Sequence, residues 1–326
     1  MSPLVIPLVL LSGCVSLDTF VHNPVHCSSV GPETCEDKDS DWDRVCTPCE
    51  EDYAWDVEYP WMPRTLEDGQ TVRPIDAATV TNALLPTEDG EGELDVYFVP
   101  AHGENPAYAD VTVLYSHGNY ANLDHYMPRV RYLHEAGFSV LYWDYRGYGK
   151  SQPASAPGAE QWLADARQVR DYADTVVPDA DAVVIYANSV GGIPAVEQAL
   201  HSPGCALVLE APFTGLESIT RDNAGVSLPG SFLSMGLFEN TEKIKGYEGP
   251  LLSMIGTIDV KFTVEEVTLV HDNAGGSADQ KQLWVPEGVG HGIADEGIPE
   301  AGLTAYFEEL ETFFAGPGAT CIGGVE

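Results

Sequence analysis

Positive charge is what this chain has least of. Its 326 residues carry 15 Lys and Arg against 51 Asp and Glu, a formal net charge of -36. Nucleic-acid binding rests on many basic contacts to phosphate, so that class of partner is excluded. Adsorption to an anionic membrane through protein charge is disfavoured on the same ground. The acidic residues are spread along the whole chain rather than gathered in a tail. That fits a strongly solvated surface suited to a saline environment better than a specific taste for cationic partners. Long apolar runs are missing as well. The run from Pro3 to Leu11 is too short to span a bilayer, and no other segment is long and apolar enough. Hydrophobic content is nonetheless 44%, normal for a full globular core, and the length suits one large domain with a small appendage.

The apolar run at the start ends in Leu11-Ser12-Gly13-Cys14, which resembles the lipobox of bacterial lipoproteins. No Lys or Arg precedes it, so the terminal amine is the positive group at that end. The resemblance implies that residues 1–13 are a signal peptide and that Cys14 is lipidated as the first residue of the mature chain. The protein would then be exported to the cell envelope and lipid-anchored, on the periplasmic or extracellular face. A plain secretory signal is the alternative. Of the seven cysteines, six remain: Cys27, Cys35, Cys46, Cys49, Cys205 and Cys321. In an exported chain an even set reads as disulfides. Connectivity does not follow from spacing, and Cys205 with Cys321 is a guess. Cys46-Thr-Pro-Cys49 has no βαβ unit around it, which argues against a redox role. A zinc site from the N-terminal cysteines and His26 suits an exported chain less well than disulfides, so no metal is expected. Asp37, Asp39 and Asp41 alternate like a calcium loop, but Trp42 and Pro48 stand where such a loop needs Gly and Glu. A solvated acidic loop is the better reading, and residues 14–75 read as a tether with a small Cys-containing cap.

From residue 76 the pattern changes. Apolar runs at Ala77–Leu84, Leu94–Val99, Val111–Tyr115, Phe138–Trp143, Val183–Tyr186, Ala206–Leu209, Leu251–Ile255 and Gln282–Val285 read as strands. Helical patterns lie at Leu123–Ala136, Gln161–Val176, from Ile193 through Leu200 and at Ala301–Phe314. The alternation predicts an α/β fold over residues 76–316, with a mostly parallel central sheet and helices on both faces. Residues 317–326 are a short tail. The stretch from about 213 to 246 is short and apolar, with Leu228, Phe232, Leu233, Met235, Leu237 and Phe238 interrupted by Gly and Pro. It suits a small lid over an apolar pocket, although such residues also pack on a sheet.

Chemistry concentrates where strands end. The strand into Ala187-Asn188-Ser189-Val190-Gly191 turns abruptly into a helix with a serine at the apex. Such a turn lifts the hydroxyl above the sheet and puts the next N–H, that of Val190, at a helix start. It is the G-x-S-x-G elbow with Ala187 in place of the first glycine; a plain serine cap after a strand is the alternative. Ser116-His117-Gly118-Asn119 ends one strand, and Asp144-Tyr145-Arg146-Gly147-Tyr148-Gly149-Lys150-Ser151 ends another. Asp259 and His291 follow the last two, in the order Ser…Asp…His.

With these motifs, the chain from about Asp76 to Ala315 resembles the α/β-hydrolase superfamily. Within it the similarity is to serine hydrolases whose loops read H-G-N and D-Y-R-G-Y-G-x-S, a branch that includes protein depalmitoylases and bacterial esterase-like members. Phe213-Thr214-Gly215-Leu216-Glu217 and Asn240-Thr241-Glu242-Lys243-Ile244 look like that branch too. The resemblance implies Ser189 as nucleophile, His291 as base, Asp259 as its partner, and the N–H groups of Asn119 and Val190 as the oxyanion hole. Val260-Lys261-Phe262-Thr263 departs from the Val-Pro-like stretch that usually follows the aspartate, which leaves Glu210 as a fallback acid. His117 reads as a support for its loop, and Asp144 as a structural partner of Arg146. The expected function is hydrolysis of a carboxylic ester or thioester of a small-molecule substrate through an acyl-enzyme, without a cofactor. A serine peptidase for short peptides, or a catalytically silent binding protein of the envelope, are the alternatives. The sequence carries no signal for oligomeric state.

The lipid anchor has a direct readout. Wild type should partition into the detergent phase and Cys14→Ser should not, because covalent acyl chains supply the membrane affinity. A soluble wild type with an unmodified Cys14 would contradict the lipobox reading.

Overall fold

The computed structural model describes residues 23–29, 47–53, 55, 71–216, 218, 236–291 and 302–322. The signal segment with Cys14, the alternating aspartates near Asp39, Cys35, Cys46 and most of the expected lid (217 and 219–235) lie outside these residues. A two-residue strand, β1 (Asn23–Pro24), comes first. The antiparallel pair β2 (Thr81–Pro86) and β3 (Glu93–Val99) opens the main sheet. Then follow β4 (Thr112–Ser116), the short β5 (Tyr120–Ala121), α1 (Leu123–Ala136) and β6 (Ser139–Trp143). Next come α2 (Ala159–Val176), β7 (Val183–Asn188), α3 (Gly192–His201) and β8 (Ala206–Glu210). A single turn α4 (Asn240–Lys243) precedes β9 (Leu251–Met254), α5 (Val264–Asn273), β10 (Lys281–Trp284) and α6 (Leu303–Ala315).

Among the described residues, eight strands form one sheet in the order β10-β9-β8-β7-β4-β6-β3-β2. From β10 to β6 every pairing is parallel, and β3 turns antiparallel against β6. Every residue of β4, β6, β7, β8 and β9 is buried. That explains their unbroken apolar reading, since helices cover both faces of a parallel sheet. Alternate residues serve opposite layers. Val113, Tyr115, Tyr142 and Tyr186 pack against Met127 and Val130 of α1 and Tyr306 and Phe313 of α6. Leu114, Leu141 and Trp143 pack the other way, against Trp162 and Ala166 of α2, with Ile193 of α3 and Val267 of α5.

Three local differences from expectation have physical causes. Ala77–Thr79 is a 3-10 turn rather than strand, because the Asp76 side chain accepts from Ala78 N at 3.0 Å and closes it. Helix α5 was not among the expected elements. Its signal is the capping box at Thr263 and Glu266, where Thr263 N donates to Glu266 Oε2 at 2.8 Å and Glu266 N to Thr263 Oγ1 at 3.2 Å. Arg146 does not pair with Asp144. It is buried, bonding Asp165 at 2.8 and 2.7 Å and Asp89 at 2.7 Å, so the turn separates two residues that are close in sequence.

Among the described residues two disulfides form. Cys205–Cys321 spans 116 residues and ties the end of the chain to the start of β8, as guessed. Cys27–Cys49 spans 22 residues. His26 gathers with these last two cysteines, but the sulfurs are bonded to each other and so are not thiolate metal ligands. The described residues of the N-terminal segment pack on the sheet: Tyr53, Trp55, Val72 and Ile75 share one apolar core with Tyr97, Tyr115 and Tyr142.

Asp95 of β3 is buried, with Oδ1 accepting from Asn82 Nδ2 at 2.7 Å. Burial, reinforced by the charge of Asp144, pushes its carboxyl up to about 7. Its folded value lies above the ordinary carboxylate value, so the stability linked to this group is present at low pH and is lost as pH rises through about 7. Asp95→Asn should therefore raise Tm at about pH 8, by a free energy on the order of 2 kcal/mol, with a gain that shrinks toward about pH 5. An equal gain at both pH values would mean that the ionisation of Asp95 is not its source.

Candidate active site

The site is built where β7 stops. Asn188 is still extended, and Ser189 switches to a left-handed φ of 54°. A 3-10 turn over Ser189–Gly191 then feeds α3. The turn is pinned from one side by Phe213 N, which donates to Ser189 O at 2.8 Å. From the other side the H-G-N loop closes on Gly191, where an added Cβ would meet Ser116 O at 2.1 Å and His117 O at 2.6 Å. This close approach, not turn geometry, requires a glycine there. The departure at Ala187 is explained too. Ala187 is an ordinary buried strand residue, paired with Ser116 and Leu209, and its methyl packs beside Ala195 and Val196. No special backbone angle is needed at that position.

Ser189 meets His291, which reaches it from the loop after β10. His291 Nε2 lies 3.1 Å from Ser189 Oγ, and Nδ1 lies 2.8 Å from Asp259 Oδ2. A carboxylate only accepts, so Nδ1 carries the proton toward Asp259 and Nε2 is left to accept from the serine hydroxyl. The Asp259 side chain is fully buried, whereas that of His291 is 20% exposed, open to an incoming substrate. Asp259 Oδ1 accepts from Lys261 N at 2.7 Å and Phe262 N at 3.0 Å. These bonds fold the unusual stretch after the aspartate into a tight turn, which leaves Val260 exposed and swings the Phe262 ring to 5.5 Å from the His291 ring. The sequence signal for such a side-chain-capped turn is the aspartate itself, whose carboxylate reaches backbone N–H groups two and three residues on. The aspartate and histidine loops are also joined directly, through Ile258 N to Val289 O at 3.1 Å and Gly288 N to Thr257 Oγ1 at 2.8 Å.

Glu210 is engaged elsewhere. It is fully buried, accepting from Arg129 Nη1 at 2.6 Å and Tyr186 Oη at 2.8 Å, while His291 Nδ1 turns to Asp259. His117 is buried beneath its own loop. Its Nδ1 lies 2.7 Å from Gly118 O, and its ring stacks on Tyr145 at 4.1 Å. His117 Nε2 is 3.2 Å from Asp144 Oδ1, within ion-pair distance but off the hydrogen-bond angle. Asp144 also accepts from Leu123 N at 3.0 Å, and burial pushes its carboxyl up. Val190 follows Ser189 within the 3-10 turn, and Asn119 ends the H-G-N loop, its carbonyl accepting from Tyr148 Oη at 3.2 Å. Of the lid residues that are described, Phe238 is buried and packs edge-on to Trp162 at 6.0 Å, so this end of the segment is core.

A mostly parallel sheet, a serine at the strand-to-helix turn, and an aspartate and histidine beyond later strands make this an α/β-hydrolase. More narrowly, the chain belongs to the family described as serine aminopeptidase, S33, whose model matches residues 107–311. It is 26% identical over 229 residues to the uncharacterised protein YfhR of Salmonella typhi, covering 66% of this chain and 75% of that protein. Among solved structures, the Pyrococcus furiosus esterase Pf2001 aligns with a TM-score of 0.56 at 21% identity, over 72% of this chain and 92% of that one. Est1E from Butyrivibrio proteoclasticus, with ferulic acid bound, aligns with a TM-score of 0.56 at 19% identity, over 72% and 98% of the two chains. At such identities the structural likeness speaks for the fold.

Proposed function

We propose that this protein is a serine hydrolase that cleaves carboxylic ester or thioester bonds through an acyl-enzyme. The observation that carries the reading is the continuous run of contacts from Asp259 through His291 to Ser189, at 2.8 and 3.1 Å. Ser189 Oγ attacks the acyl carbon while His291 Nε2 takes its proton. The N–H groups of Asn119 and Val190 receive the oxyanion of the tetrahedral intermediate. Collapse expels the alcohol or thiol, which leaves with the proton held by His291. Water then attacks the acyl-serine, again giving its proton to His291; collapse breaks the acyl carbon–Oγ bond, His291 returns the proton to Ser189 Oγ, and the acid departs. Asp259 holds the imidazole in the required tautomer and stabilises its protonated form.

Acyl chemistry is favoured by the surroundings of the serine. Val190, Phe213, Leu216 and Phe262 belong to one buried apolar cluster on this side of the sheet, so the serine borders apolar rather than charged surroundings. A peptidase reading draws support from the family's name, and amide substrates assayed beside esters separate the two. Anchoring through Cys14 would put the enzyme at the cell envelope.

The test is turnover of short- to medium-chain p-nitrophenyl esters. Wild type should be active on these esters. Ser189→Ala should lose activity by a factor on the order of 10⁴ or more, and His291→Ala nearly as much, because the two act as a unit. Asp259→Asn should cost less than either and clearly more than Glu210→Gln. A more damaging Glu210→Gln would overturn the assignment of the acid. Wild-type turnover in Ser189→Ala would overturn the hydrolase mechanism and favour a silent binding protein.

A further inference from the structure

The loop that carries Asn119 is held from outside the sheet. Beyond Asn119, Tyr120 and Ala121 form β5, which pairs in parallel with β1 in the register Asn23 to Tyr120 and Pro24 to Ala121. Asn122, the next residue, reaches in two directions. Its Oδ1 accepts from Asp124 N at 3.0 Å and caps α1, while its Nδ2 donates to Val25 O at 3.1 Å. Val25 O also accepts from Gly149 N at 3.0 Å, and Cys27 N donates to Gly149 O at 2.8 Å. Residues 23–27 thus run as a strap between the H-G-N loop and the D-Y-R-G-Y-G loop. The second loop reaches Asn119 itself, through Tyr148 Oη and the Asn119 carbonyl at 3.2 Å. Gly149 permits the approach: its φ is 49°, and a Cβ there would meet Asp144 Oδ2 at 1.9 Å and Tyr53 Oη at 2.8 Å.

The strap needs a clamp. Ordering the backbone costs more conformational entropy than the one or two hydrogen bonds of so short a pairing return, so a two-residue strand does not hold itself. Cys27–Cys49 supplies the clamp by joining the strap to residues 47–53. Closing a loop between cysteines 22 residues apart in sequence restricts the unfolded chain and so favours the clamped fold. The clamped partner is itself docked on the same region. Thr47 N donates to Asp124 Oδ2 at 3.1 Å, Lys150 Nζ donates to Glu51 O and sits 4.5 Å above the Tyr53 ring, and Tyr53 Oη lies 3.5 Å from Asp144 Oδ2.

We infer that the disulfide-clamped strap is a positioning element for the oxyanion loop, with Asn122 the residue that transmits its hold to Asn119. The inference rests on the hydrolase reading above, in which the Asn119 N–H stabilises the transition state. Full loss of one oxyanion donor costs about 10²–10³ in kcat, and loosening its loop should forfeit part of that.

The test uses the full chain in two variants. Asn122→Asp keeps the oxygen that caps α1 and replaces the donor to Val25 O with a second acceptor. Cys27→Ser/Cys49→Ser opens the clamp and leaves the loop untouched. For each, hydrogen exchange is followed in the segment 118–124, and kcat and KM on p-nitrophenyl butyrate are normalised to the Ser189 titrated with a fluorophosphonate. Both variants should exchange faster across 118–124 and lose about tenfold in kcat per titrated site, with KM nearly unchanged. A merely structural role would lower Tm or the titratable fraction and leave kcat per site alone; that result overturns the inference. So does unaltered exchange in both variants. If wild type is not labelled at Ser189 and Ser189→Ala keeps full turnover, it is the hydrolase reading that fails. The exchange arm then decides alone whether the strap holds the loop.

Discussion

A single left-handed residue sets the geometry of the site. At Ser189 the chain leaves a buried parallel strand with φ of 54°, a conformation that costs a non-glycine residue roughly 1–3 kcal/mol. It persists because both sides of the turn are occupied. Phe213 N holds the serine carbonyl, and the carbonyls of Ser116 and His117 press against Gly191. The strain lifts the hydroxyl off the sheet and starts α3 directly beneath it. Every other residue of the site is arranged relative to that point.

The loops beyond neighbouring strands are joined to one another rather than left to the sheet alone. The aspartate turn is closed by its own Asp259 side chain and stitched to the histidine loop, so His291 meets Ser189 from a braced position. On the opposite side, the H-G-N loop rests on His117 and Asp144 below and on the strap above. Both supports converge on Leu123 and Asn122, at the N-terminal end of α1. Local order at the site therefore depends on residues far away in sequence, Cys27 and Cys49 among them.

The parts that were legible in the sequence are those with strong periodicity or a fixed spacing. The buried strands read as apolar runs, and one edge of the sheet for Ser189, Asp259 and His291 followed from each lying beyond a strand end. Helix α5 was missed because its apolar face is weak, although its capping box was visible. The local partner expected for Asp144 was wrong because proximity in sequence says little about a side chain leaving a tight turn; Arg146 reaches Asp165 and Asp89 instead. The strap was beyond reading. Its pairing is two residues long, too short for any period, and its hold comes from a disulfide whose partners spacing alone does not disclose.

The acyl-enzyme account turns on one bond to one oxygen, and covalent labelling addresses it most directly. Wild-type protein treated with a fluorophosphonate and digested should yield a single modified peptide with the phosphonyl group on Ser189 Oγ. His291→Ala should label far more slowly, because the serine then lacks the base that takes its proton. Labelling at another residue, or ester turnover by a protein whose Ser189 remains unmodified under excess probe, would contradict the account.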